Sequence, residues 1–227
     1  MKNIPGSFAT LLQGIRQAES DYGRIQDSVT LLVVSKFRSV ADIRAVVASG
    51  QRHFAENYSQ EAVEKINVIN DPGLIWHFIG SIQTNKARLI ADNFSWVHSL
   101  DRLKTALRLN DARPDHLPPL NVCIQINISG EKSKAGIAPA ALPGFIKDCS
   151  GLTKLRLRGL MTLPEPCLDF EQQRIPFHKL KNLFGDACRL CPWLDTLSMG
   201  TTQDMRAAIA EGSTMVRIGT ALFGPRA

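Results

Sequence analysis

Short apolar runs recur along the chain, with segments of helical periodicity between them. The runs are Leu31-Leu32-Val33-Val34, Arg52-His53-Phe54-Ala55, Ile75-Trp76-His77-Phe78-Ile79 and Phe94-Ser95-Trp96-Val97, then Val122 to Ile128, Leu157-Arg158-Gly159-Leu160-Met161, Asp195-Thr196-Leu197-Ser198 and Met215-Val216-Arg217-Ile218. Most are continuous rather than alternating, the pattern of strands buried on both faces of a parallel sheet. Residues 7–23 place Phe8, Leu11, Leu12 and Ile15 on one face and predict an opening helix. Ser39 is positioned to cap a helix reaching Ala48 with Gly50 as its stop, Thr84 to cap 85–92, and Asp101 to cap the next helix.

Strand and helix in alternation predict βαβ units, whose crossovers are right-handed. Eight units behind one extra helix predict a single closed (β/α)8 TIM barrel over residues 1–227 with an additional N-terminal helix. An open doubly wound sheet is the competing arrangement, but no Gly-x-Gly-x-x-Gly follows the first strand. Arg113 to Pro119 reads as a rigid entry into strand five and Leu163 to Cys167 as a loop after strand six. Neither is a domain linker.

Composition narrows the class. Of 227 residues, 44% are hydrophobic and 21% charged, which is ordinary for a globular domain. No apolar run approaches the roughly 20 residues of a membrane span. The start, Met1-Lys2-Asn3-Ile4-Pro5, lacks the apolar stretch of a secretory leader. Five scattered cysteines suit reduced thiols in the cytoplasm, and Cys188-x-x-Cys191 lacks the further ligands a metal needs. The net charge of +6 is spread along the chain, which favours a small anionic ligand over nucleic acid.

In such barrels the chemistry lies at the C-terminal strand ends. Strand one ends at Lys36, where desolvation favours the neutral amine that condenses with aldehydes. From position alone, a strand-end lysine reaching water is the simpler reading. The turns after strands seven and eight shift that balance. Met199-Gly200-Thr201-Thr202-Gln203-Asp204 and Gly219-Thr220 offer glycines, hydroxyls and backbone N–H groups suited to a phosphate. His77, within strand three, reads as a satisfied core histidine, and His53 and His98 as equally ordinary.

Val33-Val34-Ser35-Lys36, Phe54-Ala55-Glu56-Asn57-Tyr58, Trp76-His77-Phe78-Ile79-Gly80, Lys134-Ala135-Gly136, Arg158-Gly159-Leu160-Met161 and Gly212 to Thr220 occur in one order. With these motifs the chain resembles the pyridoxal 5′-phosphate (PLP) homeostasis protein family, from about Leu31 to Gly224. The resemblance implies a barrel like the alanine racemase N-terminal domain, with PLP held covalently by Lys36 as a Schiff base. It further implies that Asn57 contacts the ring face or hydroxyl side and Met161 packs near the ring. Thr202, Gly219 and Thr220 would hold the phosphate, and Arg217 would face the pyridine nitrogen, unless it pairs with the phosphate or a carboxylate. The family's turn after strand seven usually reads Ser-x-Gly-Met-Ser. Here Thr201 replaces the methionine, which thins apolar packing beside the cofactor.

The implied function is a cytoplasmic PLP carrier or regulator serving PLP-dependent client enzymes, with no robust catalysis. A slow amino-acid racemase is the alternative. Two-base racemisation needs an acid opposite Lys36, which alanine racemases take from an added C-terminal domain. This chain ends at Ala227, and its two tyrosines are Tyr22 and Tyr58. The missing domain and the lack of a heptad stripe also lead us to expect a monomer.

Overall fold

The computed structural model describes residues 3–131 and 134–224. The leader reading on Met1 and Lys2 and the chain end at Ala227 lie outside the described residues. Eight parallel strands close in sequence order, with β8 pairing β1. They are β1 (Thr30–Val34), β2 (His53–Glu56), β3 (Ile75–Phe78), β4 (Trp96–Leu100), β5 (Leu120–Gln125), β6 (Leu155–Met161), β7 (Thr196–Ser198) and β8 (Met215–Ile218). The helices are α1 (Ile4–Asp21), α2 (Val40–Ala48), α3 (Ser59–Ile69), α4 (Ala87–Asn93), α5 (Leu103–Ala112), α6 (Leu142–Cys149), α7 (Phe170–Leu190), α8 (Met205–Ala210) and α9 (Thr220–Phe223). This is the predicted (β/α)8 barrel with its extra first helix. None of the described helices is long and apolar enough to cross a membrane.

The continuous apolar runs have a structural cause. Alternate side chains of a strand point to opposite faces. Leu31, Val33, Phe54, Trp76, Val97, Ile124, Leu197 and Val216 pack outward in one core with the helices. Leu32, Ala55, Trp96, Cys123, Met161 and Met215 pack in a second cluster inside the barrel. Gly159 marks a close approach of β6 and β7, since a Cβ there would lie 1.8 Å from Thr196 O.

Several boundaries differ from expectation. Helix α1 begins three residues early because the Asn3 side chain accepts from Gly6 N and Pro5 fits a first turn. Phe94 belongs to the end of α4, not to β4, and the strand continues through His98 and Ser99. Those two residues are polar yet buried, so an apolar count ends the strand too soon. Strand β5 starts at Leu120 and stops at Gln125, short of Asn127. Thr84 lies inside a 3-10 turn and does not cap a helix. Asp101 pairs with Arg102, which occupies the cap position of α5 without a side-chain cap. Ser39 does cap α2, in a reciprocal box with Asp42.

Helix α1 is tied to the barrel by Glu19, which is 1% exposed. Its carboxylate accepts from Arg16 Nη1 at 2.6 Å, Val29 N at 2.7 Å and Asp27 N at 3.1 Å. Burial pushes its pKa up, but these donors outweigh burial and hold it below the usual carboxylate value. A depressed folded pKa adds stability above the unfolded value of about 4.3, lost as pH falls through the folded value. Glu19→Gln should therefore cost about 1–3 kcal/mol at pH 7. Urea titrations of both proteins should show that difference shrinking on acidification. A gap that stays constant down to acid pH would assign the loss to packing.

Candidate functional site

The C-terminal strand ends open onto a cavity of about 740 Å³, within the size range of small-molecule sites. All seven residues expected at a site line it: Lys36, Asn57, Met161, Thr202, Arg217, Gly219 and Thr220. Gln125, Lys134 and Arg38 join them.

Lys36 sits half-buried in the turn after β1. Next to it, Phe37 takes a left-handed φ of 60°, uncommon for a residue with a side chain. A buried network fixes this turn. Lys65 Nζ donates to Ser35 O at 2.8 Å, to Glu56 Oε1 at 2.9 Å and to Glu61 Oε1 at 2.5 Å. Glu61 Oε1 accepts from Phe37 N at 2.6 Å, and Ser35 Oγ donates to Glu56 Oε1 at 2.7 Å. Sequence reasoning missed Lys65 and Glu61. Their i,i+4 spacing reads as an ordinary surface pair, and only the docking of α3 against β1 and β2 buries it.

Arg217 forms the cavity floor and is 6% exposed. Its Nη1 donates to Ser198 O at 2.6 Å and Ser198 Oγ at 2.8 Å, and its Nη2 to Thr162 O at 2.9 Å. Burial lowers its pKa to about 10, so it remains a cation at neutral pH. Met161 ends β6, is buried and lines the same cavity. Asn57 Oδ1 is buried without a hydrogen-bond partner among the described residues. Gly80 allows the end of β3 to cross the Asn57 backbone, because a Cβ there would lie 2.0 Å from Asn57 O.

The two glycine turns meet. Gly200 has a φ of +99°, and a Cβ on it would lie 2.6 Å from Ala208 Cβ. Thr201 donates from N and Oγ1 to Asp204 Oδ1, at 2.5 and 2.9 Å. The Thr202 hydroxyl instead accepts from Ala221 N, at 3.4 Å. Gly219 packs on β1, where a Cβ would lie 3.1 Å from Val34 O. The N–H groups of Thr220 and Ala221 open α9, and a first helical turn has no intrahelical acceptor for them. Across the cavity, Lys134 pairs with Glu131 at 3.2 Å, in a loop tied by Asn127 Nδ2 to Glu131 O and Lys134 O.

Two residues stand apart from the cavity lining. Tyr58 is 51% exposed, with its ring 5.1 Å from that of Phe37, and faces a neighbouring 390 Å³ hollow. His77 is fully buried in the barrel interior, bonded to His53 and His98. The three histidines, individually ordinary in the sequence, are therefore connected.

Comparisons with known proteins bear on the family and the fold. The family described as alanine racemase, N-terminal domain matches residues 22–227. The pyridoxal phosphate homeostasis protein of Pseudomonas aeruginosa is 51% identical, covering 100% of this chain and 97% of that one. Its counterpart in Escherichia coli K12 is 47% identical, covering 100% and 98%. Among solved structures, PipY of Synechococcus elongatus with PLP bound superposes with a TM-score of 0.81 at 35% identity, covering 92% of this chain and 100% of PipY. The chain thus belongs to the alanine racemase N-terminal domain family and, within it, to the pyridoxal phosphate homeostasis proteins.

Proposed function

We propose that this protein binds PLP in the 740 Å³ cavity and acts in PLP homeostasis as a carrier or regulator, not as an efficient enzyme. The observation that carries the reading is the convergence on one cavity of Lys36, the buried Arg217 cation and two linked hydroxyl and N–H turns. The residues fit the group. The orphaned Asn57 Oδ1 lacks a donor that a ring hydroxyl would supply. When bound, PLP supplies an aldehyde for amine condensation and an electron-withdrawing pyridine ring.

Lys36 provides the amine for covalent attachment, on a turn held in place by Lys65. Thr202, Gly219 and Thr220 bind the phosphate through hydroxyl and backbone N–H groups. Met161 packs against the ring. Three of the five Arg217 donors are engaged by Ser198 and Thr162, which leaves two for the ring nitrogen. A guanidinium donates there without giving up its proton, so it supports a weaker electron sink than an acid would. Tyr58 is 51% exposed and lines the neighbouring hollow with its ring against Phe37, which supports the reading without an acid opposite Lys36. We further propose a cytoplasmic monomer that passes PLP to client enzymes.

The test combines binding and turnover. Titrating the purified protein with PLP should give saturable 1:1 binding with a change in visible absorption. A chiral assay on alanine should give turnover far below the roughly 10 per second of an ordinary enzyme. No saturable binding would reject the reading, and turnover near that rate would make the protein a racemase.

A further inference from the structure

A continuous hydrogen-bonded line crosses the barrel interior, and the binding chemistry above uses its first two members but none of its histidines. Arg217 Nη1 donates to Ser198 Oγ at 2.8 Å, and that oxygen lies 2.9 Å from His98 Nδ1. His98 Nε2 lies 2.9 Å from His77 Nδ1, and His77 Nε2 lies 3.0 Å from His53 Nδ1. Ser198, His98 and His77 are each 0% exposed. His53 is half-buried and is the first residue of β2, so the line leads from the cavity floor toward the opposite mouth. Trp96 stacks on both inner rings, at 5.5 Å from His77 and 5.7 Å from His98. Arg158 lies over the same indole, 4.6 Å from its centroid.

The chemistry of the members orders the protons. An arginine can only donate, so Ser198 Oγ accepts from it. The Ser198 hydroxyl hydrogen then needs an acceptor. Among the described contacts of Oγ, His98 Nδ1 is the one that can accept. His98 must therefore carry its proton on Nε2 and donate to His77 Nδ1. By the same logic His77 donates from Nε2 to His53 Nδ1. The opposite order would set a buried hydroxyl hydrogen against no acceptor. A break partway along would face two N–H groups or two lone pairs at one junction, so the rings hold one order together. Burial keeps the rings uncharged. It drives His98 to about 3, helped by the Arg217 charge, and His77 well below its ordinary value, helped by its histidine neighbours.

We propose that Arg217, Ser198, His98, His77 and His53 form a single-direction hydrogen-bond relay, in which Ser198 and His98 are positioning residues for Arg217 and whatever binds against Arg217 is felt at the far mouth of the barrel. The order of the relay is a property of the ligand-free protein, and only its coupling to a ligand rests on the proposed PLP site.

Nitrogen NMR of the histidine rings tests this, since ring protonation must be measured rather than read from heavy atoms. In the ligand-free protein at neutral pH, all three rings should be neutral with the proton on Nε2. A proton on Nδ1 of His77 or His98, or a charged inner ring, would overturn the order. Ser198→Ala removes the shared hydroxyl but keeps the residue 198 carbonyl that also holds Arg217. The ring nitrogens of His77 and His53 should shift along with those of His98. A change confined to His98 would reduce Ser198 to local packing and overturn the relay. Adding PLP to the wild-type protein, with binding followed by absorption, should move the His98 and His77 nitrogens. Binding that leaves all three rings unmoved would overturn the coupling. Absence of PLP binding would reject the site instead, and the ligand-free measurements would still decide the relay.

Discussion

Lys36→Ala is expected to abolish covalent retention of PLP while leaving the fold intact. The residue is half-buried in a turn outside the strands, so truncation opens no core cavity, and the variant's melting temperature should fall by no more than roughly 4 °C. The two turns proposed to hold the phosphate and Arg217 remain, so weaker, reversible binding is expected. A loss of at least about 100-fold in apparent affinity corresponds to roughly 2.7 kcal/mol. Borohydride reduction of the wild-type complex, followed by peptide mass mapping, should place a pyridoxyl adduct on Lys36. Lys134 also lines the cavity and provides the sharp control. An adduct on Lys134, or undiminished retention by Lys36→Ala, would refute the assignment.

The largest effect on stability is expected from Lys65→Met. Lys65 is 7% exposed and Glu56 is 0% exposed, and removing one partner of a buried ion pair typically costs about 3–5 kcal/mol. For a chain of this size that corresponds to a fall in Tm of roughly 6–20 °C. The pH dependence carries a sign. Burial raises the Glu56 pKa, opposed by Lys65 and by the Ser35 hydroxyl. Without Lys65 the folded pKa rises further above the unfolded one. Stability is then retained below the unfolded value of about 4.3 and lost as pH rises through the folded value. Lys65→Met should therefore approach the wild type in acid and fall furthest behind near neutrality. Adding Glu56→Gln should recover part of the deficit. Thermal melts across pH would contradict the ion-pair argument if the deficit were flat or below about 1 kcal/mol. The same variant should also loosen the Lys36 turn, because Lys65 holds Ser35 O and, through Glu61, Phe37 N.

Much of the candidate cavity's lining was legible because barrel geometry converts sequence position into spatial position. Lys36, Met161 and Arg217 lie at or beside the C-terminal ends of β1, β6 and β8, and closing the barrel brings those ends around one cavity. The glycine and hydroxyl turns were legible for the same reason. The polar supports were not. Glu61 and Lys65 look like a solvated helix pair, and His53, His77 and His98 look like three unrelated core residues. Nothing local marks side chains about 24 residues apart as hydrogen-bonded, since that separation is one βα unit and adjacency arises only when neighbouring strands pair. Arg217 shows both sides. Its place on β8 was readable, but its three bonds to Ser198 and Thr162 come from strands β7 and the end of β6.

By itself the sequence determined the number and order of the strands, the N-terminal helix, the barrel class and the residues around its mouth. These depend on hydrophobic period, turn chemistry and strand ends, all of which are local. Only the tertiary structure decided the exact ends of β4 and β5, the burial of the Lys65 network and the histidine line through the interior. These depend on which side chains lose water together, and that is set when the strands close into a barrel and the helices dock on it.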